Sequence, residues 1–321
     1  MTMPRPSLVT SSGPSPVLGF MAAIVISLMS FIPIKDQYLA RGGLRSTKTG
    51  RLSPVNARSA LFDLYADHLL HRGGVAPVAA LVRLMAPLGI AAPAVRTAVS
   101  RMVRQGWLTP VTLAEGAGYE LTPKAVTRLD EATQRVYRRV APEWDGNWHL
   151  LVVGRVADRG ARERLRSGLS FLGYAALDDA TWVAPRPSAE VDELLHAEGV
   201  RAEHFTAVYD GDPAGLLQRA WDLDALGRSY ERWLEHAGRI LERGAVTHAA
   251  GSSVEPDPDR DAFAARSRLV HEWRKFLFAD PGLPRVLLPG DWAGTRAAAF
   301  FTDEAERLRP PATRFLDRCL A

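Results

Sequence analysis

Apolar residues recur at helical spacing from Ala57 to Leu70, with Leu61, Leu64, Tyr65 and Leu69 on one face, and His71-Arg72-Gly73-Gly74 ends the run. Pro77 to Met85 reads as a second helix with Pro77 near its start, and the turn Pro87-Leu88-Gly89-Ile90 leads into a third, Ala94 to Arg104. In this third helix Val95, Ala98, Val99, Met102 and Val103 fall at i, i+3, i+4, i+7 and i+8, which places them on a single apolar face. Arg96, Thr97, Ser100, Arg101 and Arg104 share the other face, which has no carboxylate. Gly106 stops the helix. Trp107 to Leu113 and Tyr119 to Leu121 then read as strands of a hairpin turning at Glu115-Gly116-Ala117-Gly118. Thr122 caps a further helix, opened by Pro123, that is expected to run through Arg139.

Two helices joined by a short glycine-containing turn, followed by a hairpin, predict a winged helix-turn-helix whose second helix enters the major groove of DNA. The polar face of that helix suits the role. Guanidinium forks bind guanine edges and phosphates in bidentate fashion, and hydroxyls serve either partner. A solvated surface helix usually mixes both charge signs, and this one does not. Arg96, Thr97, Ser100, Arg101 and Arg104 are therefore the expected base and phosphate contacts, with Gly116, Tyr119 and Lys124 at the backbone. The formal charge of +4 conceals a partition along the chain. Residues 1–53 carry 6 basic and 1 acidic side chains, residues 54–140 carry 11 and 6, and residues 141–321 carry 23 and 29. The positive field lies on the presumed DNA-binding part, where phosphate neutralisation is needed.

Further along, Trp148 to Val153 reads as a strand, Asp158 to Leu172 as a helix, Tyr174 to Leu177 and Thr181 to Ala184 as strands, Ser188 to Glu198 as a helix and Arg201 to Val208 as a last strand. That β-α-β-β-α-β order is the ferredoxin-like arrangement. Beyond Asp212 the pattern is helical. Trp221 to Arg243 reads as a core helix rather than a dimer seam, Ala249 to Pro258 as a loop, and Phe263 to Leu277 and Thr295 to Leu320 as the closing helices. The fold class expected is α+β multidomain: an extension at 1–53, a winged helix-turn-helix at 54–140, a ferredoxin-like domain at 147–210 and a mainly helical domain at 211–321.

The extension has several readings. Thr2 to Pro16 is Pro/Ser-rich, and Val17 to Ile32 is an uncharged apolar run slightly short of a membrane span. A disordered or non-native extension is the reading carried forward. A membrane anchor is the alternative, and a cleaved signal peptide fits poorly because only Arg5 precedes the apolar run. The single cysteine, Cys319, excludes an intramolecular disulfide and points to a reducing, cytoplasmic setting. His68 and His71 could clamp a metal, but no third ligand is near in sequence. Phosphate-loop, nucleophile-elbow and His-Glu-x-x-His motifs are missing from the sequence, so no catalytic residue, metal or cofactor is expected.

Several strings together resemble the PaaX family of bacterial repressors of phenylacetate catabolism. They are ARSALFDLYADHL (57–69), VRTAVSRMVRQGWL (95–108), YELTPKA (119–125), the strand from Trp148, WDLDALGRSYERWL (221–234) and EWRKFLFADPGLPRVLLPGDW (272–292). The resemblance covers nearly everything beyond residue 53. It implies a central domain similar to the Cas2 fold and a homodimeric repressor on a two-fold symmetric double-stranded operator. It further implies release by an acyl-CoA, phenylacetyl-CoA in the namesake group. Arg274 and Lys275, set between Trp273 and Phe276, have the chemistry to meet the phosphates and stacked ring of such an effector, although a helix covering the core with wet charges is the plainer reading. The alternative from another class is an enzyme, either a divergent Cas2-like nuclease or an acyl-CoA-handling protein. Against a nuclease, Val153 is followed by Gly154 and Arg155, with no carboxylate before Asp158.

Overall fold

The computed structural model describes residues 55–136, 143–246 and 256–321. The extension 1–53, the end of the helix expected to reach Arg139, and most of the loop expected at 249–258 lie outside the described residues. Among the described residues no helix is long and apolar enough to cross a membrane.

Helix α1 (Ala57–Leu64) starts where the Asn56 side chain accepts the Arg58 amide at 2.9 Å. Instead of continuing regularly to Leu70, it widens into a π-helical turn over Tyr65–Leu69 and tightens into a 3-10 turn over Leu70–Arg72. Strand β1 (Val75–Pro77) follows, which the sequence pattern does not predict, and then α2 (Val78–Met85), with Pro77 just outside the helix. Helix α3 (Ala92–Arg104) precedes the hairpin of β2 (Leu108–Leu113) and β3 (Gly116–Leu121), and α4 (Pro123–Val136) closes this part. The sheet order is β1-β3-β2, with Val75 opposite Glu120 and Leu108 opposite Leu121.

The central part is as the pattern predicts. β4 (Trp148–Val153), α5 (Arg159–Phe171), β5 (Ala175–Ala176), β6 (Thr181–Ala184), α6 (Val191–Ala197) and β7 (Ala202–Ala207) form an antiparallel sheet in the order β5-β6-β4-β7. Leu151, Val153 and Trp182 pack with Leu165 and Leu169 of α5 and Leu194 of α6. The period-2 pleat sends Trp148 and Val183 into a second cluster with Leu216 and Leu217 of α7 (Pro213–Ala220).

The helical part comprises α8 (Leu223–Val246), α9 (Pro258–Trp273) and α10 (Ala293–Leu320). The apolar face of α8 is used internally, since Leu226, Tyr230, Trp233 and Ala237 pack with Leu269, Val270 and Phe301. Helix α10 continues across Pro310 and Pro311, although each proline removes a backbone donor.

Phe263 and Ala264 of α9 and Ala312, Phe315, Leu316 and Cys319 of α10 belong to the same apolar core as Leu61, Leu81, Leu84 and Met102. The N-terminal part and the two closing helices thus share one core.

Charged side chains sit beside that core. Arg266 of α9 is 2% exposed; it donates to Asp67 Oδ1 at 3.0 Å, ion-pairs with Asp67 through Nη1, and gives its Nε–H to the Ala305 carbonyl at 3.1 Å. Burial lowers its pKa to about 10. Asp63, one helical turn before Asp67, meets His271 Nδ1 at 2.7 Å and ion-pairs with Arg274. His68 packs on Phe263, and burial, helped by Arg72 and Arg309, pulls its pKa down to about 4.

Two expectations follow. Asp67→Ala leaves the Arg266 guanidinium buried without its anion and costs about 3–5 kcal/mol, whereas the apolar double replacement Asp67→Leu with Arg266→Met recovers most of that loss in denaturant titrations. His68 lies between Asp67 at 3.2 Å and the cation of Arg266 at 3.4 Å, with Arg72 and Arg309 acting from further away. Its depressed folded pKa means the neutral ring is the stabilising form. The contribution is present above the ordinary value of about 6.5 and is lost as pH falls towards 4, amounting at most to ~3 kcal/mol. The stability of His68→Gln should therefore fall less steeply than that of the parent chain between pH 6.5 and 4.

Candidate nucleic-acid interface

Helix α3 divides its residues as the periodicity requires. Val95, Ala98, Val99 and Met102 are buried, while Arg96, Thr97, Ser100, Arg101 and Arg104 are exposed. Among the described residues none of the three arginines forms an ion pair, so the guanidinium face meets solvent without an internal anion. The Thr97 hydroxyl donates to the Pro93 carbonyl at 2.9 Å, which leaves its oxygen lone pairs as acceptors.

The helix is held firmly at both ends. Gly89, with φ +79, turns the chain out of α2, and Pro93 stands in the first turn of α3. At the far end Gly106 has φ +69, a left-handed conformation that costs glycine little, and the Trp107 amide returns to the Met102 carbonyl at 2.9 Å. Buried Trp107 meets Phe62 of α1 edge-on at 4.8 Å. The Thr122 hydroxyl then ties α4 back to this corner, donating to the Gly106 carbonyl at 2.8 Å and accepting the Ala125 amide at 3.2 Å.

Gly116 is exposed at the hairpin turn, and Lys124 is exposed in the first turn of α4. Tyr119 is half-buried in β3, where its carbonyl accepts the Tyr65 hydroxyl at 3.3 Å. Sequence reasoning missed Arg58. Its guanidinium lies 5.6 Å from the Phe62 ring, with Nε and Nη2 buried, and its pKa is lowered by burial and then by the charge of Arg101. Nothing in the periodicity of α1 marks this, because the proximity arises only when α1 packs on α3.

Arg274 and Lys275 are placed differently from the expectation for effector contacts. Arg274 is buried against Asp63, and Lys275 Nζ donates to Glu272 at 2.6 Å. Both are committed to internal partners. Elsewhere, Asp158, the first carboxylate after β4, accepts the Ala161 amide at 2.6 Å as the N-cap of α5. Among the described residues no group of three or more His, Cys, Asp or Glu could hold a metal, and His68 is enclosed in the core.

Residues 56–125 match the PaaX-like protein family, 141–215 the PaaX protein central Cas2-like domain and 221–318 the PaaX-like protein C-terminal domain. The transcriptional repressor PaaX of Escherichia coli (strain K12) is 30% identical over 272 residues, covering 82% of this chain and 84% of its own. Among solved structures, the uncharacterized protein Rv0674 from Mycobacterium tuberculosis is 26% identical, covers 83% of this chain and 99% of its own, and superposes with a TM-score of 0.54. The matched segments together take in the α3 face, the central sheet and the closing helices, and the chain belongs to the PaaX family.

Proposed function

We propose that this protein is a DNA-binding transcriptional repressor of a phenylacetate-type catabolic operon, and that the part built on α1 to α4 is a winged helix-turn-helix. The observation that carries this reading is the exposed, acid-free face of α3, standing on a rigid helix beside a hairpin. Arg96, Thr97, Ser100, Arg101 and Arg104 are the base and phosphate contacts, Gly116, Tyr119 and Lys124 follow the backbone, and Arg58 reinforces the positive field next to Arg101. The relative from Escherichia coli bears the name of a transcriptional repressor, which supports the same reading.

The finer statements belong to this proposal too. The protein acts in the cytoplasm as a homodimer on a two-fold operator whose half-sites are about 34 Å apart, or a multiple of that spacing. An acyl-CoA, phenylacetyl-CoA or a related thioester, releases it by binding the DNA-incompetent arrangement more tightly than the competent one. An enzymatic reading gains less support, since Asp158 serves as a helix cap and the end of β4 carries Gly154 and Arg155.

Fluorescence-anisotropy titration against the protein's own upstream DNA tests the assignment. Arg101→Ala and Arg104→Ala should each cost about 1–3 kcal/mol of operator affinity and relax discrimination between sequences. Unchanged binding in both would remove α3 as the reading helix. Lys124→Ala should weaken specific and non-specific DNA alike and lower the slope of log affinity against log salt by ~1.

A further inference from the structure

Where the central sheet meets the closing helices there is a cavity of about 580 Å³. One wall is aromatic, formed by Tyr230 of α8 with Trp273 and Phe276 at the end of α9, and the Tyr230 and Phe276 rings stack at 4.0 Å. The facing wall is the connection from β6 to α6, which brings Arg186 and Ser188 to the lining. The loop after Phe276 forms the floor. It approaches the central part so closely that a Cβ on Gly173 would stand 2.6 Å from the Pro281 carbonyl oxygen. Asp280 and Glu190 line it as well, the Asp280 carboxylate accepting the Tyr230 hydroxyl, so an aromatic wall stands in a lining of mixed polarity, and the volume is in the usual range for a small organic ligand.

The position of this chamber matters as much as its lining. Trp273, Phe276 and Leu277 line it, while His271 and Arg274 of the same stretch hold Asp63 of α1. Trp273 Nε1 also donates to the Val136 carbonyl at the end of α4, at 3.4 Å. One helical turn earlier, Arg268 donates to the Pro87 carbonyl in the turn between α2 and α3, at 3.0 Å. Residues walling the chamber therefore alternate with residues that grip the DNA-binding part at α1, at the turn before α3 and at α4.

We infer that this cavity receives the acyl end of the effector, an aromatic or short aliphatic group lodged against Tyr230, Trp273 and Phe276, and that the Trp273–Leu277 turn passes its occupancy to α1 through Asp63. The thioester and its anionic carrier extend past Arg186. Displacing Trp273 to admit the group moves Arg274 with it, and the Arg274–Asp63–His271 contacts shift α1 and the α3 packed on it. This inference rests on the reading that an acyl thioester is the effector.

The test uses the full chain, with calorimetric titration of phenylacetyl-, benzoyl- and hexanoyl-CoA and anisotropy of labelled upstream DNA. Ala298 lines the chamber from α10, and Ala298→Trp places an indole in it and reduces the space left for a ligand. This variant should bind the thioesters at least tenfold more weakly than the parent chain while holding operator DNA with unchanged affinity in their absence. Asp63→Asn should bind the thioesters within threefold of the parent affinity, yet release DNA at least tenfold less effectively; its operator binding without thioester reports that it is folded, and His271→Gln is the milder second variant of the same contact. Equal thioester affinity in Ala298→Trp and the parent chain would overturn the cavity while leaving the effector reading intact. Normal release by both Asp63→Asn and His271→Gln would overturn the route. Failure of the parent chain to bind any of the three thioesters would overturn the effector reading itself, and the cavity assignment with it.

Discussion

The contact between α1 and α9 combines apolar packing with charges removed from water, and the charges constrain what surrounds them. An arginine that is 2% exposed has lost nearly all its hydration. It is tolerable only because Asp67 and the Ala305 carbonyl stand at hydrogen-bonding distance in the right directions. Apolar side chains alone would let α9 slide along α1 with little penalty. Directional pairs at Asp63 and Asp67 do not permit that, so the register between the first helix and the closing pair is specified. The π-helical turn at Tyr65–Leu69 lies within this contact, and its wider backbone carries Asp67 and His68.

Much of this was readable from spacing. The α3 face follows from the 3.6-residue period, the glycine at its end and the capping threonine, and the β-α-β-β-α-β succession of the central part follows from strands and helices alternating at ordinary lengths. What escaped is what depends on distant partners. Strand β1 has three residues, too few to show any alternation, and exists because β3 offers an edge to pair with. The π-helical turn leaves no mark in the apolar pattern. Arg274 reads from sequence as a wet charge between aromatics, because its partner Asp63 lies more than two hundred residues away. Phe315 and Leu316 read as the face of an independent helical domain, although they complete a core begun at Leu61.

The same side chain takes opposite roles in two places. On α3, Arg96, Arg101 and Arg104 stand exposed, and among the described residues none of them pairs with a carboxylate. On α9 and just beyond it, Arg266 and Arg274 are enclosed and neutralised by Asp67 of the π-helical turn and Asp63 of α1. Arginine's planar, persistently charged fork serves both uses, and the neighbours decide which. The modest formal charge of the whole chain conveys none of this.

The shared core also has a consequence for how the chain is made. Leu316 and Cys319 lie within a few residues of the C-terminus, and Arg83 of α2 donates to the Cys319 carbonyl. On a ribosome, α1 to α3 emerge long before α10 exists, so their apolar surface waits uncovered until the closing helices have been made. Closing a core across such a sequence separation is slow and exposes sticky surface meanwhile. A chain broken off before α10 would lack the side chains that complete the core beneath α1 and α2. The fold thus makes the packing of the first helices depend on the last one, so the core of the N-terminal part is finished only when α10 is in place.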